Sequence, residues 1–176
     1  EQVYEQGEHP MHKLRTFFIL LLAIQFCITG CSGGRSAFSK AQKLEAEGRL
    51  DEAVVKYAEA ASESPDEGEY RMRFLNVSER AARLHMEKGE QFLDKEDLDE
   101  ALREYQAAVA LNPSLDRARQ ASEQVLRLRN SIVYVKEGEE LEKNRKTREA
   151  IQAYQKALEF NPDNEKASEA IEKLQK

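Results

Sequence analysis

From residue 37 onward, apolar positions recur at steps of three and four, the spacing of one helix face. A first helix is expected from Ala37 to about Glu47, with Gly48 standing where helices end. A second runs from Leu50 to about Ser62. It has acids in its first turn, Ala53, Tyr57, Ala60 and Ala61 on one face, and Pro65 as its stop. A long helix follows, from about Asp66 to Asp94, with Tyr70, Phe74, Val77, Ala81 and Leu84 as its stripe. At 1.5 Å per residue it would be about 40 Å long. A helix from Leu98 to Leu111 ends before Pro113. A second long helix spans Leu115 to about Lys143, with Ala118, Ser122, Val125, Leu128, Ile132 and Val135 on one face. Asn130-Ser131 marks the place for a break in it. The last full helix runs from Thr147 to Phe160, is ended by Pro162, and the tail to Lys176 starts the pattern again. The expected fold class is all-α.

The pattern is an internal repeat, which fixes architecture before any single element does. Ala53, Tyr57, Ala60 and Pro65 return as Ala101, Tyr105, Ala108 and Pro113, then as Ala150, Tyr154, Ala157 and Pro162. Each set is preceded by a small residue (Ala41, Gly89, Gly138) and a large one three later (Leu44, Phe92, Leu141). These residues resemble the tetratricopeptide repeat, a helix-turn-helix unit of about 34 residues. The resemblance covers roughly 34–65, 82–113 and 131–162. It implies helical hairpins in which small residues let two helices approach and the tyrosine fills the gap where the next helix stacks.

The chain departs from that family in two ways. Lys40, Lys88 and Glu137 stand where the family has a large aliphatic residue, and Ala37, His85 and Tyr134 where it has an early aromatic one. The period also differs: Ala53 to Ala101 is 48 residues and Ala101 to Ala150 is 49. The excess over about 34 is roughly four helical turns, placed at the start of the long helices. A repeat domain over 37–176 with unusually long linking helices is expected. The apolar stripes on the extensions must pack on each other or on a partner. The tail stops partway through what was a long helix in the previous copy, so it reads either as a short capping helix or, the favoured reading, as a sign that the chain is the N-terminal part of a longer protein.

The N-terminal segment reads as a processing signal. Met11 to Arg15 is a short basic stretch, and Thr16 to Ile28 is an apolar run. That run is too short for a span of about 20 residues and has the length of a secretory core. Ile28-Thr29-Gly30-Cys31 resembles the lipobox of bacterial lipoproteins. The resemblance implies cleavage after residue 30, a diacylglyceryl group on Cys31, and a tether over 31–36. Ser32 at the next position resembles lipoproteins sorted to the outer membrane. Residues 1–10 are acidic and polar where a basic start is needed, so Met11 reads as the translation start and 1–10 as an upstream extension. Cys27 leaves with the leader, and no disulfide framework remains.

Composition removes most chemistry. The formal net charge of −6 argues against a phosphate backbone as partner, which needs clustered cations. Lys and Arg are interspersed with Asp and Glu as solvated helix surface. His85 is the only histidine beyond the leader and has no ligand-forming neighbour in sequence, so no metal site is expected. There is no glycine-rich phosphate loop and no G-x-S-x-G. No cofactor, small-molecule substrate or enzymatic activity is expected.

In arrays of this family the inner surface binds peptides. The positions that would face it are Phe38, Gln42, Met86, Glu90, Leu93, Val135, Glu139 and Glu142. For Met86, Leu93 and Val135 the plainer reading, and the favoured one, is core. A clamp for a terminal carboxylate would need Lys and Asn; the glutamates suit an apolar or basic segment. The build resembles pilotins and accessory lipoproteins of secretin systems (type II secretion, type IV pili), or the N-terminal part of a repeat-bearing secretin. The expected function is a lipid-anchored scaffold on the periplasmic face of the outer membrane, bound to secretion or pilus components. The alternatives are a scaffold for outer-membrane protein insertion or cell-wall assembly, and a targeting module of a longer enzyme.

Overall fold

The computed structural model describes residues 33–176. The leader, the lipobox with Cys31, and residues 1–10 lie outside the described residues. Among the described residues seven helices follow one another: α1 (Gly33–Ala46), α2 (Leu50–Glu63), α3 (Gly68–Asp94), α4 (Leu98–Leu111), α5 (Asp116–Lys143), α6 (Thr147–Phe160) and α7 (Glu165–Leu174). No strand occurs among the described residues. The fold is all-α, built of helical hairpins joined by long helices. It divides into two compact units, with described residues 33–77 in the first and 78–176 in the second.

Two elements differ from expectation. Helix α1 begins at Gly33, so residues 33–36, expected as tether, form its first turn. Gly34 packs against the end of α2, where a Cβ would run into the side chain of Ser64 and stand 3.2 Å from the carbonyl of Ala60. Helix α5 runs unbroken through Asn130-Ser131. A serine that bonds its own backbone competes with a helix. Here the Ser131 hydroxyl instead donates to the Ala157 carbonyl on α6 at 2.9 Å.

Each hairpin turns by the same device. The N–H groups of Arg49, Asp97 and Lys146 reach back to the carbonyls of Leu44, Phe92 and Leu141. Those of Gly48, Glu96 and Arg145 reach the carbonyls of Glu45, Leu93 and Glu142. This is the double bond of a Schellman ending, which needs a left-handed residue just past the helix. Gly48 (φ 75°), Glu96 (φ 60°) and Arg145 (φ 59°) hold that conformation.

In the first unit, α1 and α2 bury Ala37, Phe38, Ala41, Ala53, Val54, Tyr57 and Ala60. The Phe38 ring meets Tyr57 edge-on at 5.4 Å and stacks on Tyr70, from the start of α3, at 4.4 Å.

The second unit contains two three-helix modules. In one, Ala101, Leu102 and Tyr105 of α4 pack with Val125 of α5, and Met86, Phe92 and Leu93 of α3 close round them. Ala82, Ala108 and Ala118 form the adjoining layer. In the other, Val135 of α5, Ala150, Tyr154 and Ala157 of α6, and Ala167 of α7 form the core. Helix α5 therefore serves both modules. Its leading half buries Ala118 and Val125, and its trailing half buries Ser131, Val135 and Gly138. At 3.6 residues per turn, Ser131 lies about 120° round the helix from Val125. This change of face leaves Ile132, expected on the single stripe, 42% exposed.

The long spacing follows from this. The extra turns are the third helix of the preceding hairpin, continued without a turn into the first helix of the next one. Helix α7 is the same third helix again: Asn164, which caps it, is followed by Ala167 in the register of Ala118.

Candidate partner-binding surface

The eight positions expected to face a partner fall into three groups. Phe38 and Val135 are buried and belong to the cores described above, so neither is available to a partner. Met86 and Leu93 are half-buried against the α3–α4–α5 core. Gln42 and Glu90 are exposed, while Glu139 and Glu142 are half-buried.

The glutamates meet cations from the third helix of their own module. Glu90 faces Arg117 at 3.5 Å. One repeat later, Glu139 pairs with Lys166, and Lys173 donates to Glu142 at 2.8 Å. The Lys173 hydrogen bond is the main cause holding the Glu142 carboxyl below its ordinary range. Glu139, Glu142 and Lys143 line an open depression on the trailing half of α5. These acids are thus partly neutralised by the chain itself, and their exposed pairs are each worth little.

The repeat residues lie in register. The alanines Ala41, Ala53, Ala60, Ala101, Ala108, Ala150 and Ala157 are fully buried, as are the rings of Tyr57, Tyr105 and Tyr154. Leu44, Phe92 and Leu141 are half-buried at the hairpin ends, and Pro65, Pro113 and Pro162 are exposed just beyond the second helices. Gly89 and Gly138 are close-approach positions: a Cβ would stand 2.6 Å from the Tyr105 ring and 2.7 Å from the Tyr154 ring.

The tyrosine hydroxyls differ from repeat to repeat. Tyr57 donates to Glu45 at 2.7 Å and Tyr154 to Glu142 at 3.3 Å. The corresponding position beside Tyr105 is Leu93. Burial, then the nearby Glu142 carboxylate, pushes the Tyr154 phenol up to about 12. Burial, with Glu90 and Asp94, also raises Tyr105.

A further small position escaped the sequence reading. Gly34, Ala82 and Ser131 each precede the small residue of the first helix by seven positions. All three are buried: Gly34 lies against Ala60, Ala82 packs with Ala108, and Ser131 bonds to Ala157. The shared offset was the signal that could have revealed them. Asn164 completes the third instance. Its carbonyl caps Ala167 at 3.0 Å and its amide donates to the Ser131 hydroxyl at 2.9 Å.

His85 is half-buried with its Nδ1 2.6 Å from Glu104 of α4, a tie between two helices. Among the described residues, no group of three or more His, Cys, Asp or Glu could hold a metal. No helix among them is long and apolar enough to cross a membrane.

Comparison with known proteins agrees with this build for the last repeat. Residues 131–164 match the tetratricopeptide repeat family. The comparison with curated proteins returns no match. Among solved structures, the first repeat domain of Spaghetti (RPAP3) bound to an HSP90 peptide is similar at 20% identity, covering 81% of this chain and 90% of that one, with a TM-score of 0.24. The Arabidopsis OM64 repeat domain is similar at 16% identity, over 80% of this chain and 93% of that one, with a TM-score of 0.24. The second repeat domain of human RPAP3, in complex with an HSP70 peptide, is similar at 17% identity, over 82% and 99%, with a TM-score of 0.26.

Proposed function

We propose that this chain is a protein–protein interaction scaffold, anchored by lipid at Cys31 to the periplasmic face of an outer membrane. It would serve a secretin-type secretion system or type IV pilus assembly. The observation that carries the scaffold reading is the repeat itself. Three helical hairpins repeat the same buried Ala-Tyr-Ala pattern, and residues 131–164 match a known helical repeat family. The address rests on the leader: a basic stretch, a short apolar run, and Ile28-Thr29-Gly30-Cys31. Several acyl chains hold a protein firmly, at about 0.8 kcal/mol per buried CH₂.

Partner segments of apolar or basic character suit the expected inner positions, where Glu90, Glu139 and Glu142 stand. Such a segment would exchange with Arg117, Lys166 and Lys173 for those carboxylates.

Two experiments test the reading. Cys31→Ala releases the protein from membranes on fractionation; retention in the outer-membrane fraction defeats the lipid anchor. Cross-linking in the intact envelope, followed by mass spectrometry, recovers secretin or pilus components. Recovery of outer-membrane insertion or cell-wall machinery alone moves the scaffold to those systems.

A further inference from the structure

Helix α1 departs from the mixed charge of the other helices. It carries Arg35, Lys40 and Lys43 and a single acid, Glu45. Glu45 is half-buried and accepts from the Tyr57 hydroxyl, so it belongs to the packed side. Arg35, Lys40 and Lys43 are exposed, as are Ser36 and Ser39 among them. None of the three cations has an ion pair or a side-chain hydrogen bond among the described residues. In a chain whose net charge is −6, an unpaired basic face is out of keeping with the composition.

The face is turned away from the acids of its own unit. Gly34 lies against Ser64 and the Ala60 carbonyl at the end of α2. At 3.6 residues per turn, Lys43 is about 180° round the helix from Gly34, and Arg35 and Lys40 stand about 100° and 120° to either side. Helix α2, with Asp51, Glu52, Glu59 and Glu63, therefore packs behind α1 as seen from this face. The first acid reached along the face itself is Glu47, one turn past Lys43, and Arg49 pairs with it at 3.1 Å. Position supplies the occupant. Helix α1 begins two residues after Cys31, and two residues of chain reach at most about 7 Å. With Cys31 acylated, α1 starts within a Debye length of the headgroups, about 8–10 Å. Arg35 and Lys43 are about 12 Å apart along the axis, so only a helix lying along the surface brings all three cations to it.

We infer that α1 lies flat on the membrane beside the anchor, with Arg35, Lys40 and Lys43 against the phosphates of anionic phospholipid headgroups. This rests on the reading of Cys31 as a lipid anchor. Acyl chains alone leave a protein free to swivel. The basic face fixes which side of the first unit meets the lipid and leaves its other sides to a partner. A Lys or Arg near an anionic surface strengthens binding about fivefold, so three together supply about a hundredfold.

Flotation of the full chain with vesicles tests it, on phosphatidylcholine alone and on phosphatidylcholine mixed with phosphatidylglycerol. Tighter binding to the anionic vesicles is expected, by a ratio that shrinks at about 0.5 M salt, where surface charges are screened. Arg35→Gln, Lys40→Gln and Lys43→Gln together lower binding to the anionic vesicles by about tenfold or more and leave binding to phosphatidylcholine level. Arg35→Lys with the other two cations in place keeps the ratio, and circular dichroism confirms helix content in each variant. Lys136→Gln, Lys146→Gln and Arg148→Gln remove the same charge from the second unit and should cause no comparable fall. Equal falls for the two triple variants overturn the proposal, since net charge and not this face would then be at work. No fall in the α1 variant overturns it as well. Cys31→Ala separates the face from the anchor. The anchor fails if binding to phosphatidylcholine survives that substitution; the face fails if the α1 substitutions change nothing, whichever way Cys31→Ala comes out. If the ratio is flat and α1 cross-links to an acidic protein instead, the face is a protein contact and the proposal fails.

Discussion

Gly138 makes room for Tyr154: a Cβ on the glycine would stand 2.7 Å from Cε1 of the ring and 2.8 Å from Cδ1. Both atoms belong to a rigid aromatic in a packed core, so neither can move aside cheaply. Gly138→Ala gains roughly 1 kcal/mol of helix propensity but overpacks the site, at about 1–3 kcal/mol. A net loss of about 1 kcal/mol or more is expected in urea unfolding followed by circular dichroism. Gly68→Ala is the control, because nothing lies within 4 Å of its added methyl. It should be neutral or slightly stabilising.

The Ser131 hydroxyl links three elements, donating to Ala157 and accepting from Asn164. Ser131→Ala leaves a buried carbonyl and an amide without that partner, for about 1–3 kcal/mol. Asn164→Ala removes the same amide and also the cap of α7, for about 1 kcal/mol. The two losses should fall short of additive in a double-mutant cycle. Full additivity would show that the hydroxyl and the amide are not coupled.

The hairpin turns hold left-handed residues at three equivalent places, and only the first is glycine. A side chain in this conformation costs about 1–2 kcal/mol. Gly48→Ala should therefore lower the melting temperature. Glu96→Gly and Arg145→Gly should raise it or leave it level, since glycine's extra freedom in the unfolded chain offsets part of the gain. Thermal melts of the three variants check the opposite signs.

Alkaline pH should loosen the last module. The folded pKa of Tyr154, about 12, lies above the ordinary 10. The folded state thus holds the phenol proton more tightly than the unfolded chain does. That stability is fully present below pH 10 and is lost as pH rises through about 12. The urea midpoint should fall over this window, and Tyr154→Phe should make the fall shallower. A descent unchanged by Tyr154→Phe would assign it to other groups.

Much of the fold was legible because each hairpin is local. Helices α4 and α6 have the bounds that the Ala-Tyr-Ala-Pro spacing gives, since all the signals lie within one helix and its flanks. The long helices were legible as helices but not in their role. A single stripe through Ala118, Val125 and Val135 hides a change of face, because the helix packs on two different neighbours in turn. Asn130-Ser131, followed by Ile132-Val133, looked like the place for a break. Only the position of the Ala157 carbonyl, 26 residues away, explains the serine. The surface was harder still. Glu90, Glu139 and Glu142 were read as acids open to a partner segment, but their cations are Arg117, Lys166 and Lys173, two helices further along the chain. Pairing at that distance leaves no trace in i, i+4 patterns.

Helix α5 also bears on how the molecule folds. Starting a helix is the unfavourable step and extending it is not. One rod that completes one module and begins the next is started once for both. When the α3–α4 hairpin gathers the leading half of α5, the trailing half grows from an existing end, ready for α6. Neighbouring modules are therefore coupled through backbone hydrogen bonds as well as side-chain packing. Melting should spread along the array as a moving front rather than as separate local openings.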